Sequence, residues 1–254
     1  MTTYDKLLRI KTDRGAGYLV LLDPDHRSVP ELSAMARECE AQGADGFLIG
    51  GSLLFSDHFD ALVRSIKEAV SKPVILFPGS SRQLSRHADA VLFMSLISGR
   101  NPQALIGEQV LAAPLVHALG IETISMGYML VESGNVTAAQ FMSNTSPIPR
   151  EKPQIAVAHG LAGQYLGMKL LYLEAGSGAE KSVPETMIQA VSHTVSIPVI
   201  VGGGIRTPHD AAAKVRAGAS FVVTGNVLES EENHSLVRAF AEAIHQGPGD
   251  KTTT

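Results

Sequence analysis

Residues 172–179 read YLEAGSGA and follow the apolar run Met168–Leu171. The stretch places a carboxylate, Glu174, at the end of a buried-looking segment and two glycines directly behind it. A carboxylate there can take a proton from a hydroxyl. Glycines let the backbone come close to a ligand and turn successive N–H groups into one concavity, which suits a phosphate. Two further glycine loops follow apolar, β-branched runs: Gly202-Gly203-Gly204 after PVIV, and Gly225-Asn226 after SFVVT. With Ala175-Gly176-Ser177-Gly178 they make three loops, enough for a cradle, although glycines in such places can also be simple tight turns. Only Lys181 and Arg206 stand at the margins. The anion would therefore be held mainly by neutral donors, as fits a phosphate monoester of a small molecule.

Beside such a cradle Glu174 can act as a general base on a hydroxyl of the molecule whose phosphate the loops hold. The plainer reading is an acid that ties down neighbouring amides. Near the other end of the chain, LLDPDHRS (21–28) puts Asp23 after the run Tyr18–Leu22, with Pro24 turning the chain out of the strand. Asp23 and Ser52, the latter in IGGS, are hard oxygen ligands of the kind Mg²⁺ accepts in small number, completed by water and substrate phosphates. The alternative for Asp23 is an ordinary turn acid. His26 is read as either a diphosphate contact or a solvated loop residue. His159, on a helix of small apolar residues, and Cys39, in mid-helix, are read as packing residues.

These positions need a scaffold that brings strand ends together. Apolar runs at 17–22, 46–50, 73–77, 90–94, 121–126, 169–173, 198–201 and 220–224 alternate with helical patterns, the signature of repeated βα units and of an eight-stranded (β/α)8 barrel. Thr207-Pro208-His209-Asp210 opens a helix with a hydroxyl cap, a proline in the first turn and an acid, and Gly218 closes it; Ser28 to Glu31, ending at Gly43, follows the same plan. GADGFLIGGS (43–52) echoes GASFVVTGN (218–226), as repetition of one unit would. All the glycine loops, Asp23 and Ser52 then fall on the carboxyl-terminal rim, where such barrels hold their chemistry. Residues 127–153 break the rhythm with Gly134-Asn135, Ser143-Asn144 and three prolines, and are read as an insertion after strand five, either a lid or a crossover. Helix 154–167, rich in alanine and glycine, is a candidate for making room for an apolar ligand.

The chain is read as one domain over 1–254, with 44% hydrophobic residues to fill its core. A net charge of −4 without a basic cluster gives no reason to expect nucleic acid. The single cysteine excludes an internal disulfide, and the N-terminal residues carry no apolar signal region, which is the expectation for a cytoplasmic protein. No run is apolar enough to span a membrane, leaving peripheral contact as the one membrane association expected.

Taken in order, LLDPD, IGGS, FPG, MSLISGRNPQALIG, YLEAGSGA, VGGGIRTP and TGN resemble the geranylgeranylglyceryl phosphate synthase family, archaeal and bacterial prenyltransferases with a modified TIM barrel. The resemblance runs from about Leu21 to Asn226. It implies that Tyr172, Leu173, Glu174, Ala175, Gly176, Ser177, Gly178, Gly203, Gly204, Gly225 and Asn226 hold sn-glycerol 1-phosphate. It implies further that Asp23 and Ser52 bind Mg²⁺ and that Glu174 is the base when the 3-hydroxyl attacks carbon one of geranylgeranyl diphosphate, with loss of pyrophosphate. Leu21 stands where one branch of the family has lysine, which points to the second branch and to a homo-oligomer, a dimer or a hexamer. From the residues alone two other readings stay open: an isomerase or cyclase acting on a phosphorylated metabolite, and a catalytically inactive barrel subunit.

Overall fold

The computed structural model describes residues 1–25, 27–228 and 236–245; His26 lies outside them. Eight parallel strands close in sequence order into a barrel: β1 Gly17–Leu22, β2 Gly46–Ile49, β3 Val74–Leu76, β4 Ala90–Ser95, β5 Glu122–Leu130, β6 Leu170–Glu174, β7 Val199–Gly202 and β8 Phe221–Thr224. β1 pairs with both β2 and β8, which closes the ring. The runs expected from the sequence match these strands to within a residue or two at their ends, β5 excepted. That strand continues to Leu130 because Gly127–Leu130 pair with Leu171–Glu174 of β6. The first four residues of the expected 127–153 insertion therefore belong to the barrel wall.

The helices are α1 Thr3–Arg14, α2 Val29–Ala41, α3 Phe59–Ala69, α4 Glu108–Leu119, α5 Ala138–Ser143, α6 Pro153–Tyr165, α7 Glu185–Ser192, α8 Pro208–Arg216 and α9 Leu236–His245. Thr207 caps α8 as the sequence suggests, its hydroxyl accepting the Asp210 N–H at 3.1 Å. The Ser28 N–H donates to Glu31 Oε2 at 2.9 Å at the start of α2. One unit departs from strict alternation. Residues 77–89, all described, form turns between β3 and β4, since FPGSSRQLSRHAD offers no apolar stripe to lay against the sheet.

Period-two alternation along the strands sorts side chains into two cores. Leu19, Leu48, Ile75, Leu92, Met126, Leu170 and Tyr172 fill the barrel interior, whereas Val20, Ile49, Leu171, Leu173 and Val201 face the surrounding helices. Helix α1 closes the amino-terminal end. Its Leu7 joins the interior cluster, and the N–H of Tyr4 in its first turn donates to the Glu122 carboxylate at 3.0 Å, an anion placed where a helix start favours one. Chemistry is thereby left to the opposite end.

Candidate active site

At the carboxyl-terminal mouth lies a cavity of about 1270 Å³, larger than ordinary small-ligand pockets. It is lined by Asp23, Ser52, Tyr172, Glu174, Ser177, Gly178, Gly203, Gly204, Gly225 and Asn226. The structure thus brings together on one rim the residues that the sequence scattered over two hundred positions. Leu173, Ala175 and Gly176 are the exceptions: Gly176 does not line the cavity, and the side chains of Leu173 and Ala175 sit in the outer core. On an alternating strand the neighbours of an inward Glu174 must point outward, so these two can offer the cavity only backbone atoms.

Glu174 shares its face of β6 with Leu170 and Tyr172, opposite Leu130 of β5 and Gly202 of β7. It is 6% exposed. Burial pushes its pKa up to about 7, against the Gly176 amide and the Tyr172 hydroxyl, which favour the ionised form. The Gly176 N–H donates to Glu174 Oε1 at 2.6 Å. The Tyr172 hydroxyl is buried and makes no hydrogen bond of ordinary geometry to a described group, though it is near enough to influence the acid. Gly203 has φ 81°, and a Cβ there would overlap Glu174 Oε1. At this position glycine makes space for the carboxylate as much as for a ligand.

The three loops are braced from behind. Ser177 Oγ lies 2.7 Å from Asn226 Oδ1, joining the loops after β6 and β8. Arg206, after β7, donates to the carbonyls of Ala179 at 2.8 Å and Glu180 at 3.0 Å. Arg150 donates to those of Ser182 at 3.0 Å and Glu132 at 2.8 Å, and Asn135 accepts the Glu180 N–H at 3.0 Å. Carbonyls that would repel an anion are thereby held by cations and turned aside. Gly176 spends its amide on Glu174, whereas the amides of Gly178, Gly203, Gly204 and Gly225 donate to no described protein group. A short 3-10 helix, Asn226–Leu228, begins directly behind Gly225.

Across the mouth, Asp23 Oδ1 accepts the Asp25 N–H at 3.0 Å, so Asp23 does serve the turn. Its other oxygen, Oδ2, faces Gly51, where a Cβ would come within 3.0 Å. The residue after Gly51 is Ser52. Gln83 fixes this corner, accepting the Gly51 N–H at 3.1 Å and donating to the Gly51 carbonyl at 2.8 Å. Asp25 accepts the N–H groups of Phe55 at 2.8 Å and Ser56 at 2.9 Å. Among the described residues no group of three or more His, Cys, Asp or Glu could hold a metal. A carboxylate and a hydroxyl at a pinned corner fit Mg²⁺, which keeps several waters and takes few protein ligands.

The rest of the cavity is of mixed character: Phe77, Met94, Val116, Tyr128, Ala139 and Met142 give it apolar walls, and Arg82, Asn101, Gln103, Glu108 and Gln109 also line it. Helix α5 thus roofs part of it, so the insertion does reach the site. Helix α6 does not line the cavity, which corrects the expectation for 154–167: its Gly160 and Gly163 let it pack closely on Leu171. His159 is half-buried, with Nδ1 2.7 Å from the Ile155 carbonyl and Nε2 3.4 Å from Arg100. It sits at the edge of α6 and not in the barrel packing. Cys39 is buried and burial pushes its thiol up to about 12, as expected of a packing residue. Among the described residues no lysine lines the cavity, and Lys169 stacks over Tyr4 at 5.2 Å at the far end of the barrel. Among the described residues no helix is long and apolar enough to cross a membrane.

The sequence profile of the PcrB family matches residues 8–244. The chain is 44% identical over 242 residues to a geranylgeranylglyceryl phosphate synthase of Chitinophaga pinensis, covering 95% of each chain. It is 46% identical over 239 residues to that of Thermococcus kodakarensis, covering 93% of this chain and 94% of the relative. The crystal structure of (S)-3-O-geranylgeranylglyceryl phosphate synthase from Thermoplasma acidophilum, in complex with its substrate sn-glycerol-1-phosphate, superposes with a TM-score of 0.92 at 37% identity, covering 97% of this chain and 99% of that one. The family suggested by the motifs is therefore the right one: this chain belongs to the PcrB family, among the geranylgeranylglyceryl phosphate synthases.

Proposed function

We propose that the protein joins the 3-hydroxyl of sn-glycerol 1-phosphate to carbon one of geranylgeranyl diphosphate as an ether and releases pyrophosphate, the first substrate held by the glycine loops and Glu174 acting as base. The observation that carries this reading is a buried carboxylate with a pKa of about 7 flanked by amides that have no acceptor among the described residues. A base of that strength is half-ionised at neutral pH and able to receive a proton in the transition state.

The amides of Gly178, Gly203, Gly204 and Gly225 hold the phosphate, and Tyr172 and Glu174 face the glycerol. The 3-hydroxyl oxygen forms a bond to carbon one, the carbon–oxygen bond to the diphosphate breaks with its electron pair leaving on the diphosphate, and the hydroxyl proton passes to Glu174. Phe77, Tyr128 and Met142 wall an apolar space that excludes water from the allylic carbon. Asp23 and Ser52 would hold Mg²⁺, whose charge offsets that building on the leaving diphosphate. The same position on the rim suits a protein that takes its prenyl donor from a membrane surface, and oligomerisation as a dimer or hexamer belongs to the same reading.

Labelled glycerol 1-phosphate, incubated with the protein, Mg²⁺ and geranylgeranyl diphosphate, should pass into an organic extract. Label that binds the protein yet stays aqueous would sink the transferase reading and favour an inactive barrel.

A further inference from the structure

Three aromatic side chains that line the cavity pack against one another: Phe77, directly after β3, Tyr128 of β5 and Tyr172 of β6. Phe77 lies nearly parallel to Tyr172, with ring centres 5.2 Å apart and planes at 13°. Tyr128 tilts against both, its ring centre 6.0 Å from that of Phe77 and 5.6 Å from that of Tyr172. Both tyrosines are buried, whereas Phe77 is half-buried. With one face laid on Tyr172, Phe77 is the most open ring of the three.

Phe77 also joins the two halves of the site. Its N–H donates to the Ile49 carbonyl at 2.8 Å, and its own carbonyl lies against Gly50, where a Cβ would overlap it. Gly50 leads into the Gly51–Ser52 corner that Asp23 faces. On the other side, the ring rests on Tyr172, the inward residue one step before Glu174 on β6.

We propose that the ring of Phe77 is a catalytic group that stabilises positive charge on the allylic carbons of the donor in the transition state. The inference rests on the proposed prenyl transfer and deepens it. As the carbon–oxygen bond to the diphosphate breaks, its electron pair leaves with the diphosphate and positive charge spreads over the allylic carbons. The hydroxyl oxygen then supplies a new pair to carbon one, and its proton passes to Glu174. A carboxylate or a thioether beside that carbon has a lone pair with which to capture it. The face of an aromatic ring attracts a cation and offers no such pair. Burial raises the Tyr128 and Tyr172 hydroxyls well above their ordinary value, and Glu174 adds to the rise. Neither phenol is therefore an anion that the carbon could alkylate, and all three rings act as neutral faces.

The test replaces Phe77 by mono-, di- and trifluorinated phenylalanine, which keep the shape of the ring while each fluorine withdraws charge from its face. Single-turnover rates of transfer at saturating substrates should fall stepwise, to roughly thirtyfold below wild type across the series. Calorimetric affinity for glycerol 1-phosphate should not change. Phe77→Leu, apolar but without a π face, should lose the same order of rate; if it fails to fold, the fluorinated series still decides. A prenyl ammonium ion, with fixed positive charge in place of the allylic carbon, should bind wild type in the presence of pyrophosphate more tightly than its neutral carbon isostere, and should lose that preference along the series. Flat rates across the fluorinated series overturn the role of the ring, as does an ammonium ion that gains nothing over its isostere. A wild type that transfers from no donor overturns the proposed function instead.

Discussion

The N–H of Gly176 donates to Oε1 of Glu174, two residues earlier, at 2.6 Å. The first amide of the glycine loop is thus committed to the acid, and the bond opposes the burial that raises its pKa. Replacing Glu174 by Gln keeps an acceptor for that amide and leaves the loop shaped. Glycerol 1-phosphate binding should be nearly unchanged by calorimetry, while turnover falls by on the order of 10²-fold or more if the carboxylate is the general base. Turnover of the wild type should rise with pH through about 7 and level off above it. A Gln variant with full turnover would remove Glu174 from the chemistry.

The same pKa makes a statement about stability. The folded chain holds the Glu174 proton up to about pH 7, whereas the carboxyl has an ordinary value of 4.5. Between those values the folded state binds more protons than the unfolded one, so this group's contribution falls as pH rises and is flat above the window. At pH 8 the ionised, buried carboxylate costs roughly 3 kcal/mol on the two-state scale of pKa shifts. Glu174→Gln carries no such cost. Denaturant melts at pH 5 and pH 8 should therefore show the variant gaining on the wild type at the higher pH; parallel curves would mean that the acid is solvated.

Arg206 reaches the cavity wall but spends its guanidinium on the carbonyls of Ala179 and Glu180, at 2.8 and 3.0 Å. Its effect on an anion is to keep those oxygens turned away while the amides before them face inward. Arg206→Ala should weaken glycerol 1-phosphate binding by about tenfold, the loss of two charge-assisted hydrogen bonds being cushioned by Arg150 and Asn135. The pH at which turnover levels off should not move, because Glu174 keeps its surroundings. An equal loss in Arg206→Lys would show that the fork of the guanidinium, and not its charge alone, does the bracing.

Much of this site was legible in the sequence for one reason. Strand ends in a parallel barrel converge, so an acid or glycine just after an apolar run falls on the rim whatever its number in the chain. Glu174, Gly203 and Asp23 were readable in this way. Period two also decides against Leu173 and Ala175 as side-chain contacts, a distinction lost when a motif is taken as a block. What could not be read were the braces. Gln83, Asn135, Arg150 and Arg206 bond mainly to backbone groups, and backbone partners leave no pattern in residue types. Helix α6 shows a related limit: small residues signal close approach, but only the fold reveals that Leu171, and not a ligand, is what approaches Gly160 and Gly163.

Gln83 offers the sharpest test of the metal corner. Its amide grips both the N–H and the carbonyl of Gly51, and its Oε1 also accepts the Gly79 N–H at 3.2 Å. The side chain is 1% exposed, so the three bonds are made away from competing water. With Mg²⁺ held by Asp23 and Ser52 as proposed, Gln83 never touches the ion but sets where the serine hydroxyl stands relative to the carboxylate. Outer partners of this kind are typically worth about 10- to 100-fold in metal affinity. Gln83→Ala should raise the Mg²⁺ concentration needed for half-maximal turnover by that order and weaken Mg²⁺-dependent binding of pyrophosphate, followed by calorimetry. Glycerol 1-phosphate, bound across the mouth, should keep its affinity. If both ligands weaken together, Gln83 supports the rim as a whole; if neither changes, Ser52 does not depend on Gly51 for its position, and the corner formed by Asp23 and Ser52 is not where the ion binds.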